Sequence, residues 1–201
     1  MNAFDLTRPL SRHLRIICLA LAAVVAFGGA QLAAQGISPA GGRVMAKVGV
    51  KLGMLYSSRF RIDGVASATG IGLSGGVVFD FPISRRFLYG VAIDLQDVHV
   101  FETRKKVLDL SLPLKYAFLF ERQNWELRIV SAAGFGYHAK VDILERSTYL
   151  TLKGGLEAVF HGDTRFSLVV DLLVFAAPIG GNRDHRVSYG PSLIARVGFV
   201  Y

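Results

Sequence analysis

A single cysteine occurs among 201 residues, Cys18, and it lies in an apolar stretch near the start. A disulfide framework, a thiol nucleophile and a thiolate metal site are therefore excluded for everything that follows it. Beyond that stretch no apolar run reaches 18 residues, so no helix of spanning length is encoded. Five histidines (His13, His99, His138, His161, His185) never fall in a pair with metal-ligand spacing. Gly70-Ile-Gly72-Leu-Ser-Gly75 matches GxGxxG in letters only, because it lies inside a strand pattern where the fingerprint needs a following helix. No cofactor and no metal is expected. Asp184 beside His185 reads as a solvated loop tip.

What is present begins with export. Arg8, Arg12 and Arg15 precede an apolar run from Ile16 to Phe27, and the small-residue stretch GGAQLAAQ follows. This is the layout of a secretory signal. Residues 1–34 are read as a cleaved signal peptide and 35–201 as the mature domain. A cut after Ala30 also fits the small-residue rule.

The mature region alternates with a period of two. In LDLSLPLKYAFLF, residues 108–120, Leu108, Leu110, Leu112, Leu114, Tyr116 and Phe118 share one face. Asp109, Ser111, Pro113, Lys115 and Ala117 share the other. Eight such segments are expected near 43–56, 67–81, 86–98, 107–120, 125–138, 148–160, 165–176 and 188–201. The connections FPISRR, ERQN and HGDT are short. SSRFRIDGVA, HVFETRKK, AKVDILERS and AAPIGGNRDHRV are longer and more polar. Short turns at one end and longer loops at the other describe an up-and-down meander. The fold class is all-β: an eight-stranded antiparallel up-and-down transmembrane β-barrel.

The polar face decides which medium meets which side. It carries Lys47, Lys51, Lys115, Arg128, Lys153 and Arg196 against Asp80, Asp94, Asp109, Glu126, Glu157 and Asp171, with many glycines between. Balanced charge suits a paired, low-dielectric lumen, and glycine suits a narrow one. One Lys or Arg facing lipid at midplane costs about 2–4 kcal/mol. Six would cost as much as a domain's whole stability, roughly 5–15 kcal/mol. In a membrane barrel the charges must therefore face inward and the apolar side must face lipid.

Aromatics are expected as two girdles. One, at the short-turn end, comprises Phe79, Phe81, Phe87, Tyr89, Phe118, Phe120, Trp125, Phe160, Phe166, Phe199 and Tyr201. The other, at the loop end, comprises Tyr56, Phe135, Tyr137, Tyr149, Phe175 and Tyr189, with Phe175 on the wrong parity for an outward ring.

DFPISRRFLYGVAIDL, LDLSLPLKYAF, IVSAAGFGYHA and the terminal ARVGFVY together resemble the small porin-like outer-membrane β-barrel proteins. The resemblance spans nearly all of the mature chain through loose patterns. It implies a barrel in the outer membrane of a Gram-negative cell and says little about activity. It also implies that the last strand, with Leu193, Ala195, Val197, Phe199 and Tyr201, resembles the signal read by the barrel-assembly machinery. Pro113 resembles a Leu-Pro-Leu strand motif, and a proline there is expected to mark a bulge.

Eight strands leave an interior about wide enough for side chains, so no large pore is expected. The role expected is structural or interaction-based. Arg59, Arg61, Arg104, Lys105, Lys106, Arg183 and Arg186 are candidate contacts for anionic lipid, lipopolysaccharide phosphates in particular. Nucleic acid is disfavoured, since this charge is spread over several loops. Two other readings stand beside this one. A lipid A-modifying enzyme would use His138 or His185 with Ser188, and a lipocalin-like soluble carrier would turn its apolar face inward.

Overall fold

A computed structural model describes residues 47–57, 60–66, 69–100, 103–119, 124–138, 146–162, 166–182 and 184–201. The export segment 1–34 and the first residues of the expected strand 43–56 lie outside them. Among the described residues ten strands form: β1 (Lys47–Ser57), β2 (Phe60–Ile62), β3 (Val65–Ala66), β4 (Gly70–Pro82), β5 (Phe87–Val100), β6 (Thr103–Leu119), β7 (Trp125–His138), β8 (Ser147–His161), β9 (Ser167–Gly181) and β10 (Val187–Val200). The eight long ones pair antiparallel in chain order, and β1 pairs with β10 to close the ring. Reciprocal bonds between Val48 and Tyr201 seal that seam, at 3.0 Å from Val48 N and 2.9 Å from Tyr201 N.

Closure leaves no edge along the eight-strand wall, so every strand there finds a ladder on both sides. The strands are strongly tilted. Stepping across paired residues from Lys47 through Asp80, and on round the ring, the path returns to β1 beside Tyr56, near the strand's opposite end. Among the described residues no helix is long and apolar enough to cross a membrane.

The alternation seen in the sequence becomes two walls. Leu52, Leu73, Leu112 and Val197 lie on the outside with half or more of their surface exposed, whereas Asp80, Asp109 and Glu157 inside are fully buried. Glycine makes the inner wall possible. A Cβ at Gly76 would overlap the Asp94 carboxylate, and one at Gly136 would overlap the Tyr149 ring.

Five expectations need correction. Most of HVFETRKK is strand: outside residues 101–102, which are not among the described residues, β5 and β6 continue past the polar residues to the pair Val100–Thr103, since antiparallel pairing carries on beyond the apolar belt. For the same reason AAPIGG, expected as loop, belongs to β9. SSRFRIDGVA contains the small hairpin β2–β3, with β2 laddered onto β10 through Val187–Ile62 and Tyr189–Phe60. Its turn is Asp63-Gly64, with φ of 49° and 87°, the two positive values that a two-residue hairpin turn demands. Pro113 makes no bulge, because the β5–β6 register is the same on both sides of it and only ladder pairing is lost. Register shifts occur instead beside Pro178 on β9 and at Pro191 on β10.

The fifth concerns the loop-end girdle. Tyr56 and Phe135 point outward, but Tyr149, Phe175 and Tyr189 are inside the barrel and buried. The bulge at Gly190-Pro191 explains Tyr189, since one added residue flips the face on which it lies. At the short-turn end Phe87, Phe118, Phe160, Phe166, Phe199 and Tyr201 are exposed on the wall. Phe81 is buried there, stacked on Tyr89 at 5.2 Å.

Candidate functional site: a layered lumen

Three layers fill the interior along its axis. Nearest the short turns, Val159, Val169 and Val200 pack into a small aliphatic seal. At the loop end, Leu55, Phe60, Val98, Val107, Phe175, Val187 and Tyr189 form a larger apolar cluster. Tyr189 sits edge-on to Phe60 at 5.9 Å and to Phe175 at 5.4 Å. Between them lies the charged layer.

Among the described residues, five buried cations meet six buried carboxylates in that layer. Glu157 on β8 is its hub. Lys115 Nζ donates to Glu157 Oε2 at 2.9 Å and to Asp80 Oδ2 at 2.7 Å; Arg128 Nη1 donates to Glu157 Oε1 at 2.9 Å; Lys51 also binds Glu157. A second centre is Asp171, which receives Lys51 Nζ at 2.9 Å and Arg196 at 3.1 Å from Nε and 3.0 Å from Nη2. Arg196 Nη1 continues to Asp94 Oδ1 at 2.6 Å, and Lys153 binds both Asp94 and Asp109 and donates to Ser111 Oγ at 3.1 Å. Arg128 also binds Glu126. Lys47 lies on the same face, half-buried, cross-strand from Asp80.

These residues come from all eight long strands, so the ion pairs tie together strands far apart in sequence. A cavity of about 30 Å³ remains among Lys51, Asp94, Lys115, Lys153, Glu157 and Arg196. That is room for one or two waters. Such an arrangement ties the barrel's strands together across its interior.

Above the charges the chemistry changes. Both polar atoms of Gln96, Thr151 Oγ1, Tyr149 Oη and His138 Nδ1 are buried with no hydrogen-bond partner among the described residues. Among those residues no group of His, Cys, Asp and Glu is arranged to hold a metal ion. The residues considered for lipid A chemistry do not assemble. His138 stacks on Tyr149 inside the lumen at 6.0 Å, whereas the His185 ring contacts Asp63 rather than Ser188.

That Asp63 contact ties the β2–β3 turn to the start of β10. His185 Nδ1 donates to Asp63 Oδ2 at 2.6 Å, the Arg186 amide donates to Oδ1 at 2.8 Å, and Asp63 N donates back to Arg186 O at 2.9 Å. The imidazole bond, followed by the Arg186 amide, holds the Asp63 carboxyl below the usual carboxylate range. Of the basic residues expected at this end, Arg61, Lys106 and Arg186 are exposed and Lys105 is half-buried. Arg59 and Arg183 fall outside the described residues, as does the Arg104 side chain. Leu193, Ala195, Val197, Phe199 and Tyr201 all lie on the exposed outer face.

No family model matches the sequence, and no curated protein does. Among solved structures, Neisserial surface protein A is similar at 10% identity, over 77% of this chain and 95% of that one, with a TM-score of 0.60. The chain therefore has the fold of a small eight-stranded barrel. The N-terminal barrel domain of Pseudomonas aeruginosa OprF (11% identity, 77% and 97% coverage, TM-score 0.42) matches less closely in shape. So does a major outer membrane protein of Thermus thermophilus (16%, 78% and 99%, 0.44).

Proposed function

We propose that this chain is an outer-membrane β-barrel protein with a structural or interaction role, its lumen filled rather than open. The observation that carries this reading is the orientation of the two walls. A continuous apolar exterior surrounds a charged, ion-paired interior, which is the reverse of what water solubility requires. A lipocalin-like carrier needs an apolar hollow, and here that place holds Lys115, Arg128 and Glu157.

Further parts of the reading rest on the sequence. Residues 1–34 would direct export and be removed. The outward Leu193, Ala195, Val197, Phe199 and Tyr201 would be presented to the barrel-assembly machinery. Arg61, Lys105, Lys106 and Arg186, with their neighbours Arg59, Arg104 and Arg183, would meet phosphates of lipopolysaccharide at the loop end. The fold shared with Neisserial surface protein A supports this placement by analogy of architecture alone.

Cell fractionation with gel mobility of unheated and boiled samples tests the proposal. Recovery with outer membranes and a heat-dependent mobility shift are expected. Recovery in the soluble fraction, or a chain stable in buffer without detergent, would contradict it. Planar-bilayer recording adds an independent check, since large steady openings are incompatible with a 30 Å³ residual cavity.

A further inference from the structure

The β4–β5 turn places Arg85 and Arg86, both exposed, at the end of the barrel where aromatic side chains are densest. Its backbone is held from every side. Ile83 N and Ser84 N donate to Phe87 O at 2.8 and 3.1 Å, and Ala117 N donates to Arg86 O at 2.7 Å. Ser84 Oγ accepts from Arg86 N at 3.3 Å and from Phe87 N at 3.1 Å. The turn backbone is thus a fixed platform from which the two arginines project.

Arg86 leaves it toward the outer wall. Its Nη1 donates to Tyr116 Oη at 3.3 Å. Tyr116 in turn lies edge-on to Phe87 at 4.9 Å and to Phe118 at 5.0 Å. Phe87 and Phe118 are each more than two-fifths exposed, and Ile83 beside them is about two-thirds exposed. The guanidinium is therefore tethered on the outer surface at the aromatic ledge, away from the barrel axis. Among the described residues no carboxylate forms an ion pair with Arg85 or Arg86.

A fixed cation at this height faces the headgroup layer, where amphipathic rings settle. A guanidinium carries five donors in a planar fork that matches phosphate oxygens, and Tyr116 occupies one direction only. We propose that Arg85, Arg86 and Tyr116 form a binding site for the phosphate of an anionic phospholipid in the leaflet at the short-turn end. The site rests on the membrane reading above. Free phosphate offers the same oxygens, but the exposed Ile83, Phe87 and Phe118 give purchase only to a ligand with glycerol and acyl carbons. A lipid is therefore the ligand this ledge fits.

Native mass spectrometry of the full chain released from nanodiscs containing phosphatidylglycerol and phosphatidylcholine in equal amounts tests this. Wild type should retain phosphatidylglycerol preferentially. Arg85→Gln and Arg86→Gln should each weaken that retention about fivefold, one interfacial charge being removed. Arg86→Lys should recover only part of it, and Tyr116→Phe should lower it by about twofold as the tether is lost. Heat-dependent mobility verifies that each variant folds. Equal retention of both lipids by wild type, or undiminished phosphatidylglycerol on the double Arg85→Gln/Arg86→Gln variant, overturns the site and leaves the membrane reading standing. Displacement of the lipid by millimolar inorganic phosphate overturns the assignment to a lipid. Failure to enter nanodiscs at all overturns the membrane reading and the site with it.

Discussion

The middle of the lumen and its loop end are built on opposite principles. In the middle, every cation has two or more partners: Arg196 reaches Asp94 and Asp171, and Lys115 reaches Asp80 and Glu157. At the loop end, Phe60, Phe175 and Tyr189 fit together by shape, and the polar atoms of Gln96, Thr151 and Tyr149 find no protein partner among the described residues. The first region is held by multiply shared ion pairs in low dielectric, the second by packing of rings. A network of that kind fails when one member goes, whereas a packed cluster loses only what the removed atoms contributed.

Breaking the hub should have the largest effect. Glu157→Ala leaves Lys51, Lys115 and Arg128 short of a carboxylate, and removing one partner of a buried pair costs about 3–5 kcal/mol. Urea unfolding in detergent should show at least that loss, or no folded band at all on an unheated gel. A double change that also neutralises Lys115 should recover part of it, which no purely packing explanation predicts.

Phe175→Ala at the loop end should cost about 3–5 kcal/mol as well, through cavity formation, but no partner change should rescue it. Contrast between the two rescues is the sharpest form of the comparison. On the outer wall, Leu112→Arg should cost about 2–4 kcal/mol in lipid and far less in a short-chain detergent that wets the belt. The smallest effect belongs to Tyr149→Phe. Its hydroxyl is buried without a partner among the described residues, so removing it should leave stability unchanged or raise it by about 1 kcal/mol.

The Asp63 clamp provides a test by pH. Its carboxyl is held lower in the folded state than in an unfolded chain, where about 3.9 is usual. The contribution is thus complete above that unfolded value and is lost as pH falls through the depressed folded one. Amide exchange at Arg186 should stay slow from neutral pH down to mildly acid conditions and quicken only in stronger acid. Asp63→Asn should make that amide exchange faster at neutral pH.

Much of this was legible from period-two alternation, because a closed barrel assigns each parity to one medium. Asp109, Lys115 and Arg128 could be placed on the inner wall from spacing alone. Parity counting holds only while register does. At Gly190-Pro191 an extra residue intervenes, and Tyr189 cannot be placed by counting back from Leu193. Tyr149 is different: its parity with Lys153 and Glu157 already put it inside, and the expectation of a girdle concealed that. The Asp63-Gly64 dipeptide likewise signalled a two-residue hairpin within a stretch read as loop. What alternation cannot convey is which carboxylate each cation selects, since partners such as Arg196 with Asp171 and Lys51 with Asp171 lie 25 and 120 residues apart.

The central claim is that hydrocarbon meets the leucine-bearing wall. Placing a single tryptophan at Leu112, in a Trp125→Phe background, and reconstituting the protein with lipids brominated along their acyl chains tests this directly. Strong quenching by the brominated chains and none by aqueous iodide is the expected result; quenching by iodide with no effect of bromine would contradict the account.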